Sequence, residues 1–455
     1  MGPDHKVIDG SFRTILRIAF PLMISELSNN LLLLTDRMIL AYHSINSMNA
    51  AAICGNLCSI FVMFWLAIAG VAEVYVGQGN GRKEYNRLAI PSWQMIYFSL
   101  LGFLVFLPVA YFTEYINLLP DFCKAEGIEY QRTITCGCAL PALKIAFASF
   151  FIGQGKTKII TYSVLFGSIL NVFLDILLIF GYKDLIPSLG CRGAALATII
   201  SEIVQIVILA LIFFNKNNRN HYKTWENRKF NKEVFFGCIK IGYPMSIGRV
   251  IDLAAWYLIY AALSHVSRDL ATIDGITVSI YILFAFITDS LSKSAATISS
   301  NLIGQDKLGE IQKAFKRFVA MTLGLCLIMT IPLIFKPEII FFFLDRLHED
   351  ISGLYPEMTL IFKLILISVG LEAIGCMIWG ILLSGGDTKY PMVVNLSFLW
   401  AIVVVPIIAM FYMNNLHSVS IVYQLTLVWD FVVLCFFYRR YKSLKWFNLI
   451  KISRG

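Results

Sequence analysis

Twelve long, mostly apolar stretches separated by short polar segments constrain this chain more than anything else in it. A helix crosses a bilayer with about 20 apolar residues. Reading the apolar runs against Gly, Pro and charged breaks places spans at roughly 14–42, 49–78, 89–112, 131–153, 159–181, 191–215, 233–264, 273–304, 314–335, 357–384, 389–413 and 416–438. Runs such as "LLLLTDRMILA" and "VILALIFF" are continuous, which excludes an outer-membrane barrel, whose strands alternate with period two. Only 15% of the 455 residues are charged and 58% are hydrophobic, so no large soluble domain is left over. The expected fold class is an all-α integral membrane protein of twelve transmembrane helices.

An even number of spans puts both termini on one side. That side carries 25 Lys and Arg, among them Lys6, Arg13 and Arg17, against 7 in the opposite loops (Lys124, Arg132, Lys183, Arg192, Arg268, Lys336 and Arg346). The positive-inside rule then predicts cytoplasmic termini in a cell inner (plasma) membrane, with lipid as the surrounding partner. The net charge of +9 is topological on this reading and implies no nucleic acid. The basic run "NKNNRNHYKTWENRKFNK" reads as a solvated hinge. Cys54, Cys58, Cys136, Cys138, Cys238, Cys326, Cys376 and Cys435 fall in or beside apolar runs and read as small buried residues. Cys123 and Cys191 lie in loops of one side; a disulfide there is open, with an unpaired state expected. The start "MGPDHKVIDGSFRTILRIAF" reads as a polar lead-in to the first span.

The spans repeat. "IAFPLMISEL" and "IGYPMSIGRV" place Pro21 and Pro244 223 residues apart; Gly77-Gln78 and Gly304-Gln305 follow at 227, and Thr157 of "GQGKTK" and Thr388 of "SGGDTK" at 231. A duplicated six-span unit predicts two pseudo-symmetric lobes in parallel orientation around a central cavity. The expected divisions are residues 1–215 for the N-lobe, 216–232 for a cytoplasmic linker and 233–455 for the C-lobe with its basic tail.

Nine acids fall inside the spans (Glu26, Asp36, Glu73, Asp175, Glu202, Asp252, Asp289, Glu372, Asp430) together with six bases (Arg37, Lys144, Lys240, Arg249, Lys293, Lys363). Each costs at least ~2.5–3.5 kcal/mol at mid-bilayer unless paired or wet. Asp289 and Lys293 are four residues apart on one helix and expected to neutralise each other, while Lys240, Lys363 and Asp430 read as lying near span ends. Asp36 and Asp175 share a depth, each about 9 Å below the outer edge at 1.5 Å per residue. Asn171 lies one turn below Asp175, and Thr198 enters from span six. Such a cluster suits a hard cation such as Na⁺, and a dehydrated carboxylate equally suits a proton; interhelical hydrogen bonding alone is the plainer alternative. Asp252 and Glu372 sit near mid-depth in the other half. Glu26 and Arg249 each follow the repeat proline by five residues, so the pseudo-two-fold predicts that they approach one another across the cavity.

Several motifs together, in order and spacing, are similar to the multidrug and toxic compound extrusion (MATE) family: "PLMISELSNNLLLLTDRMIL", "YVGQGNGRKEYNRL", "GQGKTK", "NVFLDILLIFG", "GCRGAALATIISE", "SNLIGQDKLGE" and "SGGDTKYP". The resemblance implies a cation-coupled exporter working by alternating access, with an N-lobe cation site at Asp36, Asn171, Asp175 and Thr198 and a C-lobe site at Asp252 and Glu372. It implies no cofactor beyond a coupling ion, H⁺ or Na⁺, a small organic substrate, expected to be a cationic amphiphile, and a monomer. Trp65, Trp256, Tyr257, Trp379 and Trp400 are candidates to stack on such a cation. The rival within transport is a flippase of lipid-linked or polysaccharide precursors. An enzyme is disfavoured, because His5, His43, His221, His265, His348 and His417 all fall in loops or at span ends and no HExxH is present.

Overall fold

The computed structural model describes residues 8–113, 124–183, 185–335 and 352–447. The chain is α-helical: α1 Phe12–His43, α2 Ile45–Gly70, α3 Ala72–Gly81, α4 Ile90–Tyr111, α5 Lys124–Gly137, α6 Leu140–Gly153, α7 Thr157–Phe180, α8 Gly190–Phe213, α9 Lys216–Tyr222, α10 Lys232–Val266, α11 Arg268–Gly304, α12 Leu308–Phe335, α13 Tyr355–Ser384, α14 Lys389–Phe398, α15 Val405–Tyr412 and α16 Ser420–Lys442. Among the described residues ten helical stretches are long and apolar enough to cross a membrane, and α11 makes an eleventh. The 28-residue α12 fills the ninth position, giving the twelve the sequence predicts. Leu104, Ile169 and Leu211 are exposed, as side chains facing hydrocarbon should be. We call the side carrying both termini the terminal side and the other the far side.

Two spans are broken where the sequence supplies a cause. Pro141, at the start of α6, has no N–H for the carbonyl of Gly137, so α5 and α6 form one span with a step. Span eleven passes through a π-helical turn at Leu399–Val404 immediately before Pro406, which joins α14 to α15. The fourth span begins earlier than its apolar run, since the polar "KAEGIEYQR" is already helical.

The duplication extends to backbone detail. Ser44 and Ser267, 223 residues apart, both cap the second helix of a lobe with extended backbone and accept a hydrogen bond three residues on. Lys83 and Asp306, also 223 apart, both adopt positive φ, as do Gly155 and Gly386, 231 apart. These positions correct one sequence alignment. The structural counterpart of Gly304 is Gly81, not Gly77, because α3 and α11 end at these two glycines with the same capping pattern. The offset therefore stays at 223 through the first two spans and reaches 231 by the end of the fourth.

The lobes interlock at the terminal side. Phe235, Cys238 and Ile241 of α10 are buried in the core built from α2 to α8, whereas Ala255, Ile259 and Leu263 of the same helix belong to the C-lobe core. Helix α1 does the reverse: Ile15, Ile18 and Leu22, with Ile8 just before the helix, pack among α11, α12 and α13, while its later half lies on α7, with Ser28 Oγ donating to Ser168 Oγ at 3.0 Å. Between them α3 crosses α11 so closely that a Cβ added at Gly81 would fall 2.1 Å from Asn301 O, and one at Gly304 2.1 Å from Gln78 O. That reciprocity marks the pseudo-two-fold axis. Gln78 Nε2 donates to Ser384 O at 2.8 Å and its counterpart Asn301 Nδ2 donates to Gly153 O at 2.8 Å, so the same bond is made twice across the lobe boundary.

Candidate coupling and cavity sites

In the N-lobe, α1 delivers Asp36, α7 delivers Asn171 and Asp175, and α8 delivers Thr198, and the four meet. Asn171 and Asp175 are one turn apart on α7 and both are buried, as their shared face requires. The Asp36 and Asp175 carboxyl groups are in hydrogen-bonding contact. With the Asn171 amide oriented as its neighbours require, the nitrogen donates to Asp36 Oδ1 at 3.0 Å and Asp175 Oδ2 at 3.2 Å, and the oxygen accepts from Thr198 N at 3.2 Å. The Thr198 hydroxyl turns away to Ala194 O at 3.1 Å, and Asp175 Oδ1 is buried without a hydrogen-bond partner among the described residues.

The chemistry of this donor set bears on both ions considered from sequence. A Na⁺ site needs converging oxygens. Here two carboxyl groups stand against one Asn171 amide, whose nitrogen satisfies both in the absence of an ion, and the Thr198 hydroxyl is engaged by Ala194 O. Among the described residues no group of three His, Cys, Asp or Glu is placed to hold a metal ion. Two carboxyl oxygens on one amide are sufficient to share a proton, and with the Asn171 oxygen turned toward them the same three groups present oxygens to a cation.

In the C-lobe, Glu372 of α13 accepts from Tyr281 Oη of α11 at 2.5 Å through both oxygens. Asp252 of α10 belongs to the same charged cluster, facing Arg249 and Glu372 electrostatically without a direct hydrogen bond to either among the described residues. Tyr281 carried no signal in the sequence.

Glu26 and Arg249 do not meet in this conformation. Glu26 forms an ion pair with Lys293 of α11, and Arg249 is attracted to Asp289 and Asp252. The pseudo-two-fold puts them at matching depth, yet α11 intervenes with a base for one and an acid for the other. Asp289 and Lys293 do feel one another, but each has a second partner on another helix, so they are links in a chain rather than a closed pair. Lys144 of α6 bonds Glu202 of α8 at 2.7 Å, and Glu73 of α3 accepts from Thr297 of α11 at 2.6 Å.

Asp430 is not near a span end. Helix α16 continues to Lys442 through "CFFYRRYK", so Asp430 lies mid-helix and buried, accepting from Ser368 of α13. Asp274, overlooked because it falls at the margin of an apolar run, is buried and accepts from Tyr423 Oη at 3.1 Å. Of the aromatic candidates, Tyr257 is exposed on the surface, Trp65 stacks on Phe98, Trp256 packs on Trp429 and Trp379 on Phe437. Trp400 Nε1 is buried without a hydrogen-bond partner among the described residues. Cys191 is buried with Sγ donating to Ser47 O at 3.5 Å; Cys123 lies outside the described residues.

The MatE family model matches residues 21–177 and 248–408, one match in each half of the duplication. The chain belongs to the MatE family of transporters. It is 23% identical over 403 residues to the probable multidrug resistance protein NorM of Pasteurella multocida, covering 86% of this chain and 84% of that protein. It is 23% identical over 354 residues to the multidrug export protein MepA of Staphylococcus aureus, covering 77% and 75%. Its fold superimposes on a crystal structure of MATE in complex with MaL6 with a TM-score of 0.87 at 14% identity, covering 98% of this chain and all of that one. An outward-facing conformation of a multidrug resistance MATE family transporter superimposes with a TM-score of 0.83 at 15% identity, covering 96% and 97%.

Proposed function

We propose that this MatE-family chain is a proton-coupled exporter of small organic compounds, working by alternating access in a plasma membrane with its terminal side in the cytoplasm. Relatives named for multidrug resistance and export support the cargo class, and the basic loops support the orientation. The observation that carries the coupling is the contact between Asp36 and Asp175 with the Asn171 amide nitrogen against both.

Helix α1 links this site to the rest of the molecule. Two carboxyl groups in contact repel unless a proton lies between them, so the proton sets how tightly the far half of α1 holds to α7. The lead-in to α1 and the terminal half of the helix are tied to the other lobe: Gln305 Nε2 donates to Ile8 O at 2.9 Å, Arg317 Nη1 to Gly10 O at 2.5 Å, and Lys293 holds Glu26. Within that half, Pro21 removes one backbone hydrogen bond, and Thr161 Oγ1 of α7 donates to Pro21 O at 2.6 Å. Protonation state at one end of α1 thus bears on lobe packing at the other, and a proton shifts the equilibrium by its differential affinity for the two states.

Efflux of a fluorescent amphiphile from proteoliposomes, driven separately by a pH gradient and by a Na⁺ gradient, tests the reading. The pH gradient is expected to drive efflux and the Na⁺ gradient is not. Asp36→Asn and Asp175→Asn should each cut pH-driven efflux at least tenfold while equilibrium dye binding persists. Full-rate efflux in both variants would remove the coupling role.

A further inference from the structure

The basic segment between the lobes, expected from sequence to be a solvated hinge, is instead docked along the start of α4. Trp93 Nε1 donates to Thr224 O at 2.6 Å, Gln94 Nε2 to Lys229 O at 3.2 Å, and Tyr97 Oη to Arg228 O. Asn231 N donates to Gln94 Oε1 at 3.0 Å, and Asn227 Nδ2 to Asn86 O at 2.7 Å. The segment therefore belongs to the N-lobe. Where α4 holds it, main-chain atoms make the bonds, so its charged side chains are not consumed by the docking.

That docking sets a depth. Tyr97 lies seven residues into α4, about 10 Å from its terminal end at 1.5 Å per residue. Residues 228–230 thus run beside the first turns of a membrane span, where headgroups meet hydrocarbon. Phe230 packs on the rings of Tyr97 and Phe235, with centroids 6.4 and 5.1 Å apart, and still leaves 59% of its surface exposed; Phe236, near the start of α10, is 53% exposed. Interleaved with these rings in the chain are Lys223, Arg228, Lys229 and Lys232, all exposed. Residues 216–232 hold six bases against one acid, Glu226, and among the described residues none of those four bases forms an ion pair. The Arg228 guanidinium stands 4.8 Å over the exposed Trp225 ring and donates to Trp225 O at 3.1 Å, which fixes this base in place.

Unpaired bases beside exposed phenylalanines fit one kind of occupant. A soluble anion leaves Phe230 and Phe236 uncovered. A zwitterionic lipid covers them but brings an ammonium among the lysines. A lipid with a net negative headgroup satisfies both parts, because an anionic leaflet attracts each base held at its surface. We propose that residues 223–236 form a docking surface for anionic glycerophospholipid in the leaflet on the terminal side. The headgroup phosphate lies among Arg228, Lys229 and Lys232, and the acyl chains run over Phe230 and Phe236. This surface lies outside the cavity and does not depend on the cargo or the coupling ion, so it goes beyond the export reading. It fastens the N-lobe, together with the start of α10, to the leaflet.

The purified full-length protein in detergent is titrated with dioleoyl phosphatidylglycerol or dioleoyl phosphatidylcholine, and bound lipid is counted by native mass spectrometry. The first phosphatidylglycerol is expected to bind about fivefold or more tightly than the first phosphatidylcholine. Arg228→Gln combined with Lys229→Gln should bring that ratio close to one; both substitutions leave the main-chain docking bonds intact. Arg228→Lys combined with Lys229→Arg should keep the ratio. So should Lys313→Gln combined with Lys316→Gln, which removes the same charge from exposed positions elsewhere on the terminal side. Phe230→Ser combined with Phe236→Ser should weaken both lipids. A wild-type ratio near one, a ratio that survives the Arg228 and Lys229 glutamines, or an equal loss in the Lys313 and Lys316 control overturns the assignment. Displacement of the bound phosphatidylglycerol by millimolar inorganic phosphate also overturns it, since the bases would then be a site for a free anion.

Discussion

At the step between α6 and α7, Lys156 Nζ donates to Gln154 Oε1 at 2.7 Å and Tyr222 Oη at 3.0 Å and stands 4.8 Å over the Tyr222 ring. Burial pulls this ammonium down to about 8 from the 10.5 of a free lysine. Between those two values the unfolded chain holds a proton that the folded protein has released, so stability rises with pH across that window. Thermal unfolding in detergent is expected to show the wild type gaining on Lys156→Gln between pH 7.5 and 10; parallel curves would refute it. The same scale shows how far single residues were legible. Asp36 and Asp175 were found by depth alone, since rise per residue is fixed along a helix. The partner of Glu26 was not, because depth says nothing of azimuth, and Lys293 comes from a helix 267 positions away. Asp430 was misplaced because the aromatic and basic end of α16 is not apolar, though it is helical.

Among the elements, α3 and α11 show what small residues make possible. Gly81 and Gly304 let two backbones touch, and any side chain there must push the helices apart. Gly81→Leu or Gly304→Leu should therefore keep the terminal side from closing, raising alkylation of cysteines introduced on the inner faces of α3 and α11 from that side. Unchanged labelling would show that the crossing is not the seal. Helix α1 invites a second test. Thr161→Val removes the bond to Pro21 O and the one from Ser25 Oγ at 3.1 Å, and should lower thermal stability by about 1 kcal/mol per bond lost. The element boundaries were largely legible from apolar runs; the π turn and the polar start of α5 were not, since both depend on what the neighbouring helices cover.

For the whole molecule, the duplication predicts that a bond made twice should matter twice. Gln78 and Asn301 hold the lobes together by equivalent hydrogen bonds to Ser384 O and Gly153 O. Gln78→Ala and Asn301→Ala should each shift the balance toward a state open at the terminal side by about 1 kcal/mol, and the double variant by roughly their sum, since the sites are separate. Distance distributions between spin labels on the two lobes measure the shift; a single variant with the full effect of the double would contradict it. The sequence by itself determined that the chain spans a membrane twelve times as two copies of one unit, because hydrocarbon thickness and backbone hydrogen bonding leave a long apolar run no other conformation. It also determined which carboxylates lie at one depth. Only the tertiary structure decided which charges pair and that the first helix of each lobe packs its terminal half into the other. Those outcomes depend on how helices rotate and cross, and that is set by packing between segments hundreds of residues apart, about which local periodicity carries no information.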